Sequence, residues 1–250
     1  MNSHAMMLGA GQAQPPPKTT VLFRPVWNGS AWVVSNAAQS VGGPAISAVT
    51  GLTIGEDGTG PFGAGSRAII DTLTTSIQDA YTVGTSKLAI ASLKDMELFC
   101  KVPTRPVTYP RYLLWVGPKG SAVNNLSVGV TPAGAATSRM KYFAAYRHGD
   151  SVDYPIFSAD FTYGDFYRHL RACVVANSVR LWVDGVYQGS VALPVNYSVR
   201  ATPLCLLGGN YVHHAAHDGY GSYAEARISS DYRYTTAAEN FTPPASPLEI

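Results

Sequence analysis

Val179-Arg180-Leu181-Trp182-Val183-Asp184-Gly185-Val186-Tyr187-Gln188-Gly189-Ser190 is the stretch on which the fold reading turns. Leu181 and Val183 alternate with Arg180, Trp182 and Asp184, the period of two that marks a strand with one buried face. Asp184-Gly185 then supplies the chemistry of a two-residue turn, which reverses the chain into a second strand. The segment reads as a tight hairpin. The run before it, Arg168-His169-Leu170-Arg171-Ala172-Cys173-Val174-Val175, reads as a third strand that feeds in through Asn177-Ser178.

The same signals recur on both sides of this hairpin. Short runs at 45–54, 86–92, 95–102, 111–117, 125–131, 139–146, 154–161, 203–208 and 222–229 are bounded by turn residues and read as further strands. Ser66 to Tyr81 can also be read as a helix, although its apolar spacing is poor and it is rich in Thr. Thr20 to Trp27 and Ala31 to Val34 flank Asn28-Gly29, a dipeptide favoured in type I′ turns, and Pro25 places the first of these strands at a sheet edge. Before them, Gln12 to Lys18 contains Pro15, Pro16 and Pro17, a polyproline II segment unable to join a sheet interior. The expected organisation is a Pro-rich arm over 1–19, a hairpin and linker over 20–44, and one domain over 45–250.

Composition narrows the functions open to such a chain. Its 250 residues suffice for a full core. Only 14% are charged, and 18 basic against 16 acidic residues leave a net charge of +2 with no run of like charges. Nucleic-acid and membrane-surface binding are therefore not expected. Every long apolar stretch is interrupted by polar residues or Gly, which excludes a bilayer-spanning segment, and Met1 to Leu8 lacks the features of a signal peptide. Cys100, Cys173 and Cys205 each lie in an apolar run and share no motif. Buried free thiols, made in a reducing compartment, are expected, and not a disulfide framework or a zinc site.

Four motifs in chain order resemble those of the laminin-G-like, concanavalin-A-like jelly roll. Tyr167 and His169 fall at or near the W-H of that family's W-H-x-hydrophobic-A-hydrophobic strand, and Leu181-Trp182-Val183-Asp184-Gly185 resembles its L-Y-V-D-G hairpin. Asp95 to Val102 is similar to F-T-I-E-F-W-V, with Cys100 near the usual Trp. Leu207-Gly208-Gly209-Asn210, Gly219-Tyr220 and Ala224 to Ser229 resemble I-G-G followed by G-Y-I-D-E-V-R-I-S, with Glu225 where the family often has Asp. Tyr232-Arg233-Tyr234-Thr235 and Phe241-Thr242-Pro243-Pro244 resemble the A-R-Y-T-x-x-F-T-P-P tail of phage-encoded members, here with extra residues between its halves. The resemblance spans about residues 45–247. It implies an all-β, two-sheet antiparallel jelly-roll sandwich, preceded by the extended arm and the hairpin.

Catalytic signatures are weak. Jelly-roll glycosidases that this fold resembles carry Glu-x-Asp-x-x-Glu on one strand, and none of the five glutamates (Glu56, Glu97, Glu225, Glu239, Glu249) sits in such a pattern. Asp150 with Asp153, or Asp160 with Asp165, could pair, but turn residues in solvent are the default. No Gly-x-Ser-x-Gly elbow is present. Gly58-Thr59-Gly60-Pro61-Phe62-Gly63 matches G-x-G-x-x-G, yet no βαβ pattern follows it. An enzyme is not expected. The most unusual stretch is Asn210 to Tyr220, which holds His213, His214 and His217 beside Asp218 and between Tyr211 and Tyr220. Transition-metal binding, protein contact and sugar contact all stay open for it. No cofactor is expected: Ca²⁺ sits near such loops in lectin-like relatives, but Asp218 alone is not a ligand set.

The tail resemblance implies a structural component of a bacteriophage particle, either a head decoration or a small tail- or fibre-associated protein. It would be made in the host cytoplasm and displayed on the virion, with other phage structural proteins and further copies of itself as partners. Residues 1–35 are then the assembly element. Pro15, Pro16 and Pro17 lower the entropy lost on docking, and the strand carrying Phe23 and Trp27, with Trp32 across the turn, offers an edge for sheet extension. The alternative, that arm and hairpin fold back on their own sandwich, stays open. The alternative function is a glycan-binding module for a bacterial surface polysaccharide, with Tyr211, His213, His214, His217, Asp218 and Tyr220 as its contacts, and hydrolysis as its weaker variant.

Overall fold

The computed structural model describes residues 19–36, 46–47, 52–56, 60–63, 66–71, 81–83, 94–102, 110–118, 124–134, 138–148, 153–162, 164, 166–194, 197, 203–207 and 221–248. Among them there is no helix, and so none long and apolar enough to cross a membrane. The strands in chain order are β1 (Thr19–Trp27), β2 (Trp32–Asn36), β3 (Ile46–Ser47), β4 (Leu52–Glu56), β5 (Arg67–Asp71) and β6 (Tyr81–Val83). Then come β7 (Asp95–Lys101), β8 (Arg111–Pro118), β9 (Asn125–Pro132), β10 (Arg139–Arg147), β11 (Asp153–Phe157) and β12 (Phe161–Thr162). The last five are β13 (Arg168–Val175), β14 (Ser178–Val183), β15 (Val186–Ala192), β16 (Pro203–Leu207) and β17 (Ser222–Ser229).

All pairings are antiparallel. One sheet runs β15-β14-β13-β7-β17-β1-β2, with β5 also on β17 and β4 on β5. The other runs β11-β10-β9-β8-β16-β6-β3, with β12 on β10. Met96, Leu98, Leu170, Leu181, Val183 and Ile228 project from the first sheet onto Leu114, Leu126, Val128, Met140, Tyr142 and Tyr146 of the second, forming one buried core. Each large side chain buried in this way contributes roughly 1.5–3 kcal/mol. The expected two-sheet sandwich is what the chain forms.

The quoted hairpin takes the expected form. Val183 pairs with Val186 across Asp184 and Gly185, which adopt φ of 51° and 77°. The turn before it is shifted by one residue from the expected Asn177-Ser178. Val175 pairs with Ser178, and Ala176 (φ 47°) and Asn177 (φ 57°) occupy the left-handed positions.

Three expectations are corrected. Arg67–Asp71, inside the stretch that admits a helix reading, is strand β5, because Ala68 and Ile69 bury as a strand of the first sheet. Asn28-Gly29 does not form a two-residue turn. Trp27 pairs with Trp32 around a four-residue loop, in which Asn28 Oδ1 accepts from the Ser30 and Ala31 amides at 3.0 and 2.9 Å. This side-chain turn replaces a type I′ backbone. Finally, β1 is not an edge strand: β17 takes one side over Thr19–Phe23 and β2 the other over Phe23–Trp27. The hairpin is thus part of the sandwich, and Phe23 is fully buried in its core, not presented to a partner.

The outer face of the first sheet is charged but dry. Asp95 and Glu97 of β7, His169 and Arg171 of β13 and Arg227 of β17 are all buried there. Alternation forces this, since Met96, Leu98, Leu170, Ala172 and Ile228 on the same strands face the core. Arg171 meets Asp95 at 2.9 Å, and Glu97 takes Arg227 at 2.6 Å and His169 at 3.1 Å. The lid is the C-terminal segment, Ser230 to Leu248. Tyr234 and Phe241 stack at 4.4 Å over Arg171, whose guanidinium donates to the Thr235 carbonyl at 2.9 Å. The Trp182 indole N–H donates to the Glu239 carbonyl at 2.9 Å, and the Phe241 amide donates to Gly185 O at 2.9 Å.

Candidate functional site

Among the described residues, a cavity opens at a fork in the first sheet. The same side of β17 carries β1 up to the Phe23–Ala226 pair and β5 at the Ile69–Tyr223 and Ile70–Ser222 pairs. Between them, at Ala224, the register of β17 against β7 shifts. Past Phe23 the first strand leaves β17, and Pro25, which has no N–H to offer a ladder, lies just beyond the parting. Pro25 therefore marks where a neighbour is lost, not a strand at the edge of the sheet. The β1–β2 and β4–β5 ribbons diverge from that point.

A cavity of about 310 Å³ fills the fork, walled by Arg24, Trp32, Phe62, Ser66, Arg67 and Glu225. Trp32 bridges the ribbons, with the Arg67 guanidinium 5.1 Å from its ring centroid and the Trp27 ring edge-on at 5.9 Å. Trp27 and Trp32 are 52% and 39% exposed, which makes this pair the apolar surface of the fork. Phe62, held in the Gly60–Gly63 turn, packs on Phe99 at 4.9 Å. The G-x-G-x-x-G string thus contributes a turn and a half-buried ring, and the next described element is strand β5.

Charge is arranged around Glu225. Its carboxylate takes Arg24 at 2.8 Å and the Leu248 amide at 2.6 Å, while Arg24 also donates to the Leu248 carbonyl. Burial pushes the Glu225 carboxyl up to about 7, and the Arg24 charge offsets only part of that. Arg24 Nε is buried with no hydrogen-bond partner among the described residues. Arg67 reaches Glu56 at 2.5 Å, and Glu56 is largely exposed.

The densest cluster of ionisable groups, Asp95, Glu97, His169, Arg171 and Arg227, lies beneath the C-terminal segment and does not open to solvent. Burial acts to raise Glu97, but the hydrogen bond from His169 and the Arg227 charge prevail and hold it below the usual carboxylate range. These groups hold the sheet to its lid.

Of the residues singled out by sequence, Tyr211, His213, His214, His217, Asp218 and Tyr220, and Pro15, Pro16 and Pro17, lie outside the described residues. Chain order places the 208–220 segment between β16 of one sheet and β17 of the other. Among the described residues no group of three or more His, Cys, Asp or Glu side chains could hold a metal ion. Asp153 and Asp160 sit near Arg147 and Lys141 at 3.7 and 3.6 Å, as surface ion pairs. Cys100 and Cys173 are buried free thiols, the latter pushed by burial up to about 12. Sequence reasoning missed Arg24 and Arg67 as site residues. No periodicity signals a fork, and Pro25 alone hinted at the break.

No family model matches the chain, and no curated protein matches it. Solved structures do. Domain 4 of the extracellular arabinanase AbnA of Geobacillus stearothermophilus, solved with arabinotriose, superposes with a TM-score of 0.54 at 18% identity, covering 86% of this chain and 93% of that one. A Trypanosoma rangeli sialidase in complex with sialic acid gives 0.52 at 10% identity over 87% of this chain and 31% of its own. The binding domain of botulinum neurotoxin serotype D/C gives 0.53 at 8% identity over 85% of this chain and 49% of its own. The fold is a lectin-like β-sandwich. None of these three is a virion protein. The phage-like tail, Tyr232 to Pro244, has a role inside the sandwich as the lid of the charged sheet face.

Proposed function

We propose that this chain is a glycan-binding module and that the fork between the β1–β2 and β4–β5 ribbons holds the sugar. The observation that carries this reading is the exposed Trp32 indole beside a cavity lined by Arg24, Arg67, Glu225 and Ser66. A pyranose or furanose presents an apolar face to an aromatic ring and hydroxyls to charged and polar groups, which is the set of partners collected here. A volume of about 310 Å³ lies at the lower end of small-ligand sites. The likeness to an arabinanase domain solved with arabinotriose supports the same class of ligand. Binding without hydrolysis fits the wall, because Glu225 is its only carboxyl among the described residues and glycosidases use two. Display on a phage particle rests on the tail resemblance alone.

A glycan array followed by calorimetry tests the reading. The wild-type chain should bind a subset of oligosaccharides, and Trp32→Ala should weaken that binding about tenfold, the scale of one aromatic contact. Its melting temperature should change little, since the ring is at the surface. An array that stays blank, or binding indifferent to Trp32→Ala, would overturn the site.

A further inference from the structure

We propose that the fork selects acidic saccharides: the sugar carboxylate sits between the Arg24 and Arg67 guanidiniums while its ring lies on Trp32. This rests on the glycan reading above and narrows it to one ligand class. Three observations carry it. First, two guanidiniums line one cavity whose described wall offers a single carboxyl. Second, the Arg24 guanidinium is partly buried at the cavity wall beside Glu225, and a partly desolvated guanidinium binds an anionic acceptor more strongly than one in open water. Third, Arg67 is held in place by the Trp32 face and, among the described residues, pairs with the largely exposed Glu56. An exposed pair of that kind contributes little and yields readily to a ligand. A guanidinium is a planar donor fork that matches a carboxylate in two bonds, which an ammonium could not do.

The wall is also set to respond to pH. Glu225 faces Arg24 from β1, the Leu248 amide from the C-terminal segment, Arg67 across the cavity from β5, and Glu97 from β7 on the same sheet face. Its carboxyl, pushed up to about 7, loses its charge on mild acidification and leaves Arg24 without a counter-charge. A sugar acid keeps its own charge over that range, so it gains where Glu225 yields.

The test uses the full chain with oligogalacturonate, oligoalginate and hyaluronan fragments, each against the same oligosaccharide with its carboxyls reduced to alcohols. The expected result is that at least one acidic form binds about tenfold or more tighter than its reduced partner. Arg67→Gln should erase that preference. Acid binding should strengthen from pH 8 to pH 6, and Glu225→Gln should bind the acid at pH 8 as the wild type does at pH 6. If acidic and reduced forms bind alike and both are lost in Trp32→Ala, the glycan reading stands and the acidic preference is overturned. If no acidic form binds while a neutral glycan does, the preference is overturned in the same way. If nothing binds and the array is blank, both readings fall.

Discussion

Arg171 shows how one residue can set the character of a whole sheet face. Its guanidinium is fully buried, holds Asp95 through Nε and an Nη, and lies 4.8 Å from the Trp182 ring. Removing it strands a buried carboxylate, so Arg171→Met should cost about 3–5 kcal/mol in chemical unfolding. The double variant Asp95→Leu/Arg171→Met should recover most of that loss, because two apolar groups leave nothing unpaired. A double variant as unstable as the single one would show that the carboxylate is not the source of the penalty. Glu225 gives the residue scale its pH dependence. Its folded value, about 7, lies above the ordinary carboxylate value, so the folded chain binds this proton more tightly than the unfolded one. The associated stability is fully present below the ordinary carboxylate range and is lost as pH rises through 7. Unfolding curves between pH 5 and pH 8 should therefore show the wild type losing up to about 3 kcal/mol relative to Glu225→Gln. Parallel pH profiles for the two would contradict the assignment.

At the scale of elements, the turns show what the sequence could and could not disclose. Asp184-Gly185 was legible because its residues tolerate positive φ by chemistry, and the structure puts both there. Ala176 was not, since alanine carries no turn signal and adopts φ 47° only because the flanking strands hold it. Relieving that strain should stabilise the protein. Ala176→Asn is expected to raise stability by about 1 kcal/mol, read as an increase in melting temperature; a decrease would mean that the Ala176 methyl makes a contact outweighing its strain. The runs 95–102, 125–131 and 139–146 were legible as strands β7, β9 and β10, but β7 and β9 are buried on both faces, which no local pattern discloses. The fork was illegible for a physical reason: it arises where two strands share one side of β17, and such sharing is a property of pairing, not of any local pattern. Trp32 was read as an assembly contact on the hairpin, but its partner Arg67 sat in a stretch open to a helical reading. Only the third dimension joins them.

For the molecule as a whole, the charged outer face makes the C-terminal segment indispensable. A chain ending at Ser229 would expose Trp182, Arg171, Asp95 and Glu97 and would leave Glu225 without the Leu248 amide. Such a truncation should lower the melting temperature by more than 10 °C, on the order of 3 kcal/mol or more in a domain of this size. A truncated chain melting like the full one would show that the lid is dispensable.

The pairing of Thr19 with Ser229 also governs how this protein is born. On the ribosome β1 is the first of the described strands to emerge, but the strand that completes its inner side is the last of them to be made, and β7 waits for the same partner. A chain made as far as β16 has every strand of its second sheet and a first sheet split at the middle, so nascent chains arrested before Ser222 should remain open to protease along β1 and β7. Completion of the first sheet is thus deferred until β17 is made, at the slow rate of chains whose decisive contacts join distant segments. In the cell, that interval is when a chaperone would be needed most.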